Sequence, residues 1–273
     1  MLIAVCCDRG APGSTTTALA LGCAFPAHSI VVEADPYGGD LGLRCRVPGG
    51  GVLPERQTVL TVAVAARTAT ASDLVASYAH PFTESTRLIP GHLGAEQAGG
   101  LSDWLPLATA LQNSSTPVVA DLGRIHANSP SLSIASAADV LVVITRADMG
   151  SVVHLRDRLN RLVPAVAEIR RRPPVLVPVV IAPRRAGALH AAQIRQLLAD
   201  TAAGPVTADV GWIAWDPAGV ERLEQGEFGG RGLARTPLMR SAATVVAQIV
   251  AAAGARSPDV VEVVPSKALW VDQ

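Results

Sequence analysis

Residues 2–17 read Leu2-Ile3-Ala4-Val5-Cys6-Cys7-Asp8-Arg9-Gly10-Ala11-Pro12-Gly13-Ser14-Thr15-Thr16-Thr17. Six apolar residues without alternation describe a short strand buried on both faces. A Gly/Pro turn follows and opens a helix over Ser14–Phe25. Its glycines let the backbone approach an anion, and N–H groups at the helix start point toward it. The run of Ser and Thr supplies hydroxyls for phosphate or Mg²⁺. This is the form of a phosphate loop. Taken alone it is ambiguous, because any strand-to-helix turn calls for glycine and a Ser/Thr cap.

Two further strands end on acids. Ser29–Glu33 runs into Glu33-Ala34-Asp35-Pro36-Tyr37-Gly38-Gly39-Asp40, and Pro117–Asp121 runs into Asp121-Leu122-Gly123-Arg124. In an open parallel sheet, ligands sit at the carboxyl ends of the strands. The three turns therefore converge on one rim. Asp35 and Asp121 are acids suited to hold Mg²⁺ and its waters.

The rest of the chain keeps the same rhythm. Apolar strands are expected at Arg87–Pro90, Ala138–Thr145, Val175–Ala182 and Thr207–Ala214. Helical periodicity runs through residues 57–80, and through Ala95–Gln112 with an interruption at Pro106. It continues over Val152–Ile169, Leu189–Ala199 and Ser241–Ala252. Residues 36–54, rich in Gly and Pro, read as a loop. Strands alternating with helices predict an α/β fold, a mostly parallel doubly wound sheet with helices on both faces. The expected organisation is one domain over residues 1–253 and a tail over 254–273.

Composition narrows the function classes. Apolar residues make up 49% of the 273, enough for a large core, and formal net charge is zero. Neutrality counts against non-specific attraction to DNA or an anionic membrane. The clusters Arg170-Arg171-Arg172 and Arg184-Arg185 read as solvated rather than as a nucleic-acid patch. Cys6, Cys7, Cys23 and Cys45 form no C-x-x-C pair and read as buried thiols in a reducing compartment. No signal-peptide core or membrane-spanning run stands out, so a cytoplasmic location is expected. The six histidines are scattered, and no Ser/His/Asp elbow motif is present. The four tryptophans read as packing residues, with Trp215 a candidate to lie near a bound base. In the tail, Val260-Val261-Glu262-Val263-Val264 reads as an edge or partner-binding strand.

Across roughly residues 1–253 the chain resembles the MinD/ParA family of deviant Walker A ATPases, P-loop NTPases whose loop reads Lys-Gly-Gly-x-Gly-Lys-Thr/Ser. Arg9 falls on the family's signature lysine, Gly10 and Gly13 on its glycines, and Thr15 on its Mg²⁺-binding hydroxyl. Glu33-Ala34-Asp35-Pro36 resembles the switch I segment, which makes Asp35 the acid that orients the attacking water. Asp121 resembles the Walker B-type acid. Gly211-Trp212-Ile213-Ala214-Trp215-Asp216-Pro217 resembles the late strand whose loop flanks the base. The resemblance implies a nucleotide site over Arg9, Gly10, Ala11, Pro12, Gly13, Ser14, Thr15, Thr16, Pro183, Arg184, Asp216 and Pro217. It implies a metal site at Thr15, Asp35 and Asp121, and ATP and Mg²⁺ as cofactors.

The departures are specific. Ser14 falls on the phosphate-binding lysine, and the sole lysine of the chain is Lys267. Losing one charge-assisted contact costs roughly 1.5–3 kcal/mol, about ten- to a hundred-fold in affinity. Hydrolysis suffers more, because that cation stabilises charge on the transferred phosphoryl group. Ala182-Pro183-Arg184 stands where the family reads the base with Asn. The degenerate loop resembles the TadZ/CpaE-type proteins that localise pilus and secretion machinery. The expectation is a homodimeric, nucleotide-responsive positioning factor read by a partner such as a secretion or pilus ATPase, with Arg9 either reaching the second copy's phosphates or standing as a solvated surface arginine. Two alternatives stand beside it. One is an active partitioning-type ATPase acting with DNA or a chromosome-associated partner, and the other is a scaffold indifferent to nucleotide.

Overall fold

The computed structural model of the chain describes residues 1–8, 13–54, 57–69, 71–98, 101, 103–169, 173–226 and 231–255. The elements alternate as β1 (Leu2–Cys7), α1 (Ser14–Cys23), β2 (Ser29–Glu33), α2 (Leu41–Arg44), α3 (Val59–Ala65), α4 (Leu74–Ser77), β3 (His80–Pro81) and β4 (Thr86–Ile89). There follow α5 (Ala95–Ala98), α6 (Leu105–Gln112), β5 (Val118–Arg124), α7 (Leu132–Ala137), β6 (Val140–Arg146), α8 (Met149–Ile169), β7 (Val175–Ala182) and α9 (Gly187–Ala199). The last are β8 (Gly211–Ala214), α10 (Pro217–Glu224), α11 (Arg231–Ala234) and α12 (Pro237–Gly254).

The strands form one sheet in the order β3-β4-β2-β5-β1-β6-β7-β8. Every neighbouring pair is parallel except the outermost, β3 with β4. β1 is buried along its whole length, as its unbroken apolar run requires, and pairs β5 on one side and β6 on the other. Alternate residues of each strand feed two apolar layers. Ala4, Cys6, Ala120 and Leu122 join one with α6, α7 and α8, while Ile3, Val5, Val119 and Val142 join the other with α1 and α12. Helices therefore cover both faces, as the alternating order predicted.

The structure redraws several expected boundaries. The periodic stretch 57–80 divides into α3 and α4 and ends in the edge strand β3. A reciprocal capping box between Thr58 and Thr61 starts α3. Pro106 does not interrupt a helix. It sits in the first turn of α6, where a missing N–H costs nothing, so 95–112 holds two short helices. The loop 36–54 contains the single turn α2, and the strand expected over Thr207–Ala214 forms its ladder only from Gly211. The Arg170–Arg172 cluster and the expected tail beyond Ala255 lie outside the described residues.

Two close contacts fix α1 against the sheet. A Cβ at Gly22 would stand 2.2 Å from Val31 Cγ2, so only glycine lets the helix lie this near β2. At the opposite end, Gly13 caps the helix with φ +100°, in the left-handed region that glycine enters without strain. α12 is long and apolar enough to cross a membrane. Its Leu238, Val245 and Ile249 instead face the core layer shared with α1. No disulfide joins the four cysteines, and burial pushes the Cys7, Cys23 and Cys45 thiols up to about 12, which disfavours the thiolate.

Candidate functional site

The carboxyl ends of β1, β2 and β5 meet beside the first turn of α1. Strand order makes this unavoidable, because β5 lies between β1 and β2. Ser14 opens α1 and is 7% exposed. Thr15 turns its hydroxyl to Asp121 and donates to Oδ2 at 2.5 Å. Asp121 is fully buried and also accepts the N–H of Gly123 at 3.1 Å. Burial pushes its carboxyl up to about 6, against the pull of the Thr15 hydroxyl and the Gly123 amide, with the Asp35 charge adding to the rise.

Asp35 is held against the end of β5. Gly123 adopts φ +57°, and a Cβ there would lie 1.7 Å from Asp35 Oδ2. Glycine at 123 is thus what allows the two strands' loops to close on one another. The carboxylate accepts the Tyr37 N–H at 2.9 Å. Burial raises the Asp35 pKa, opposed by that amide, by His92 and by Arg124. The Arg124 guanidinium in turn lies 5.9 Å from the Tyr37 ring centroid.

Glu33 plays a part that its sequence position did not announce. It is buried at the end of β2 and accepts amides from three places: Asp40 at 3.0 Å, Leu41 at 3.2 Å and Gly91 at 2.8 Å. A Cβ at Gly39 would stand 2.0 Å from its carboxyl carbon. The acid therefore anchors the loop that carries Asp35 onward to α2 and ties it to the turn after β4. Burial pushes Glu33 up to about 7 despite those amides.

Cations reach this rim from elements far along the chain. Arg44 of α2 donates to the Thr16 hydroxyl at 3.1 Å and to Asp40 at 3.0 Å, and forms an ion pair with Glu224 of α10. Arg158 of α8 pairs with Asp8. Sequence spacing gave no signal for either partnership, since each joins residues 150 or more positions apart. Arg9, Gly10, Ala11 and Pro12, expected in the nucleotide site, lie outside the described residues.

On the other side of α1 opens a cleft of about 320 Å³. Gly13, Thr16, Asp216 and Pro217 line it, together with Ile181 from β7 and Arg146 from β6, which sequence reasoning did not select. Asp216 caps two helices at once. Its Oδ1 accepts the Gly219 N–H in α10, and its Oδ2 accepts the Leu238 N–H in α12, each at 3.1 Å. Pro183 and Arg184 follow β7 and are exposed, while the β7 residue that lines the cleft is Ile181. The Pro183 carbonyl accepts the Ala186 and Gly187 amides that begin α9. Candidate positions thus divide between two adjoining places. Ser14, Thr15, Asp35 and Asp121 meet at the strand ends, and Gly13, Thr16, Asp216 and Pro217 meet in the cleft.

Set against family models and curated proteins, the sequence matches none. Its fold has many counterparts among solved structures. A ParA family ATPase from Chlorobium tepidum superposes with a TM-score of 0.68 at 12% identity, over 90% of this chain and 98% of that one. A McdA variant from Cyanothece in complex with ATP gives 0.63 at 18% identity, over 92% and 96%. MinD from Aquifex aeolicus, solved with MinC, gives 0.60 at 16% identity, over 92% and 95%. The chain has the P-loop NTPase fold of ParA and MinD ATPases, at identities that speak for the fold alone.

Proposed function

We propose that this chain is a nucleotide-responsive positioning or assembly factor of the MinD/ParA kind, with weak or no ATP hydrolysis. One observation carries the reading. Thr15, Asp35 and Asp121 meet at the first turn of α1, on the fold of ParA and MinD ATPases, while the helix opens with Ser14. The first three are the oxygen ligands that a magnesium–phosphate group requires. The serine withholds the cation that turnover requires.

The residues present suit Mg²⁺. Two neighbouring carboxylates, both pushed up by burial, with the Asp35 charge raising Asp121 further, gain most from a hard divalent cation. Thr15, Asp121 and Asp35 would hold it and its waters, and it would neutralise phosphate charge. The amides that open α1 would take the phosphates of ATP. Asp216 and Pro217, in the cleft, and Pro183 and Arg184, just past the strand that lines it, would flank the base, and Arg9 would reach a second copy's phosphates in a homodimer. Asp35, fixed by the Tyr37 amide, is the group that would orient a water where hydrolysis occurs. The dimer is the output, read in the cytoplasm by a protein partner such as a secretion or pilus ATPase. The MinC complex of MinD is a precedent for a protein reader. Zero net charge disfavours the DNA-partner alternative.

A second reading, a scaffold indifferent to nucleotide, has its own support. Asp121 accepts the Thr15 hydroxyl on one oxygen and the Gly123 amide on the other, bonds that by themselves fasten α1 to β5.

Calorimetric titration with ATP and GTP, with and without Mg²⁺, alongside light scattering, decides between them. Mg²⁺-dependent binding with a doubling of mass supports the switch, and Arg9→Ala then weakens the dimer. No heat and no change of mass at millimolar nucleotide leaves the scaffold.

A further inference from the structure

The cleft beside α1 has an unusual division of chemistry. Its floor is aliphatic, built from Ile181, Ile213, Val220 and Leu238. Its mouth is a stacked pair. The Arg146 guanidinium, at the end of β6, lies 4.8 Å from the ring centroid of Trp215, just past β8. Trp215 is 55% exposed, a large apolar ring left facing water. Its backbone N–H is fixed to the Ala182 carbonyl at 2.9 Å, so the residue is held at the lip of the cleft. Gly13, Thr16 and Thr17 line the same cleft, which joins it to the anion-binding start of α1.

The polar side chains lining the cleft are few and partly engaged within the fold. No asparagine or glutamine is among the described residues lining the cleft. Among the described residues lining the cleft, the carboxylate is Asp216, which accepts the Gly219 amide on one oxygen and the Leu238 amide on the other. The Thr16 hydroxyl already accepts from Arg44. The most exposed feature at its mouth is the Trp215 π-surface with the Arg146 guanidinium over it. Stacking on an aromatic ring is indifferent to base identity, because every base has a π-face. Discrimination needs edge contacts that leave buried groups unpaired when the wrong base arrives.

Resting on the nucleotide reading above, we propose that this cleft binds the base by stacking at the Arg146–Trp215 pair without reading its edge. The ligand class is then nucleoside triphosphates in general, purine and pyrimidine alike, rather than adenine nucleotides alone.

The test compares ATP, GTP, CTP and inorganic tripolyphosphate, each with Mg²⁺, by calorimetry and by tryptophan fluorescence. Wild type, Trp215→Ala, Trp215→Phe and Arg146→Ala are compared. The three nucleotides are expected to bind within about threefold of one another and at least about fivefold tighter than tripolyphosphate. Trp215→Ala should bring all three down to tripolyphosphate, Trp215→Phe should restore most of the difference, and Arg146→Ala should remove part of it. Fluorescence should be quenched by every nucleotide and not by tripolyphosphate. A preference of tenfold or more for one base overturns the proposal. So does a Trp215→Ala protein that binds nucleotides as wild type does, or nucleotide binding no tighter than tripolyphosphate. In those cases the anion site stands and only base stacking falls. Failure of all four ligands to bind removes the nucleotide reading along with it.

Discussion

The Thr15 hydroxyl reaches the Asp121 carboxylate at 2.5 Å, joining the first turn of α1 to a strand 106 residues later. Asp121 is fully buried, so its loss of this donor would not be made good by solvent. Thr15→Ala is expected to cost about 1–3 kcal/mol in denaturant unfolding and to raise the Asp121 pKa further. Thr15→Ser, which keeps the hydroxyl, should recover most of that loss. Equal destabilisation by both substitutions would mean that the threonine methyl, not its hydroxyl, matters here.

Ser14 offers a gain-of-function test. Ser14→Lys places an ammonium at the start of α1, beside the Asp121 carboxylate. Affinity for Mg²⁺–nucleotide should rise about ten- to a hundred-fold, with phosphate release appearing or increasing. Calorimetry and a phosphate-release assay read the two effects separately. A lysine variant that folds yet binds nucleotide no better would count against a degenerate phosphate loop.

The approach of Asp35 to Gly123 leaves no room for a methyl group. Gly123→Ala should destabilise the protein by more than about 2 kcal/mol, since the added Cβ meets a carboxylate and φ +57° disfavours alanine. Removing the obstacle with Asp35→Ala in the same chain should return part of that cost. A double-mutant cycle on thermal or urea unfolding measures the coupling, expected at about 0.5–3 kcal/mol. Simple additivity would show that the two loops do not press on each other.

Glu33 should make the fold less stable as pH rises. Its pKa moves from 4.5 to about 7 on folding, so across that window the native state holds a proton that the unfolded chain has released. Stability from this group is therefore full below about 4.5 and is lost as pH climbs through 7. The change amounts to about 3 kcal/mol. Asp121 acts in the same direction up to about 6. Urea unfolding of wild type and Glu33→Gln at pH 4.5 and 7.5 isolates the Glu33 share. The wild-type protein should lose stability between the two, relative to the variant, by that amount. Parallel profiles would overturn the assignment.

How much of this was readable beforehand depended on the range of the interaction. The buried strands announced themselves through unbroken apolar runs, because each is flanked by strands and covered by helices. Ser14, Thr15, Asp35 and Asp121 were legible because each falls at a strand's end, and topology gathers strand ends. Pro106 misled because proline tells only that a helix does not continue through it. The same residue suits a helix's first turn, and only the break after α5 decides between the two. Glu33, Arg44 and Arg146 were passed over for another reason. Their roles are made by amides, a hydroxyl and an indole ring brought from distant elements, and no local pattern encodes such meetings.

The sheet ends, on the β4 side, in a strand of two residues, His80 and Pro81, running against its neighbour. Proline there has no amide hydrogen to offer, and two residues present too little backbone to template another strand. Crowded copies of this chain therefore have little to grip along that border. On this side the sheet is protected from zipping edge to edge into fibrils, however concentrated the chain becomes.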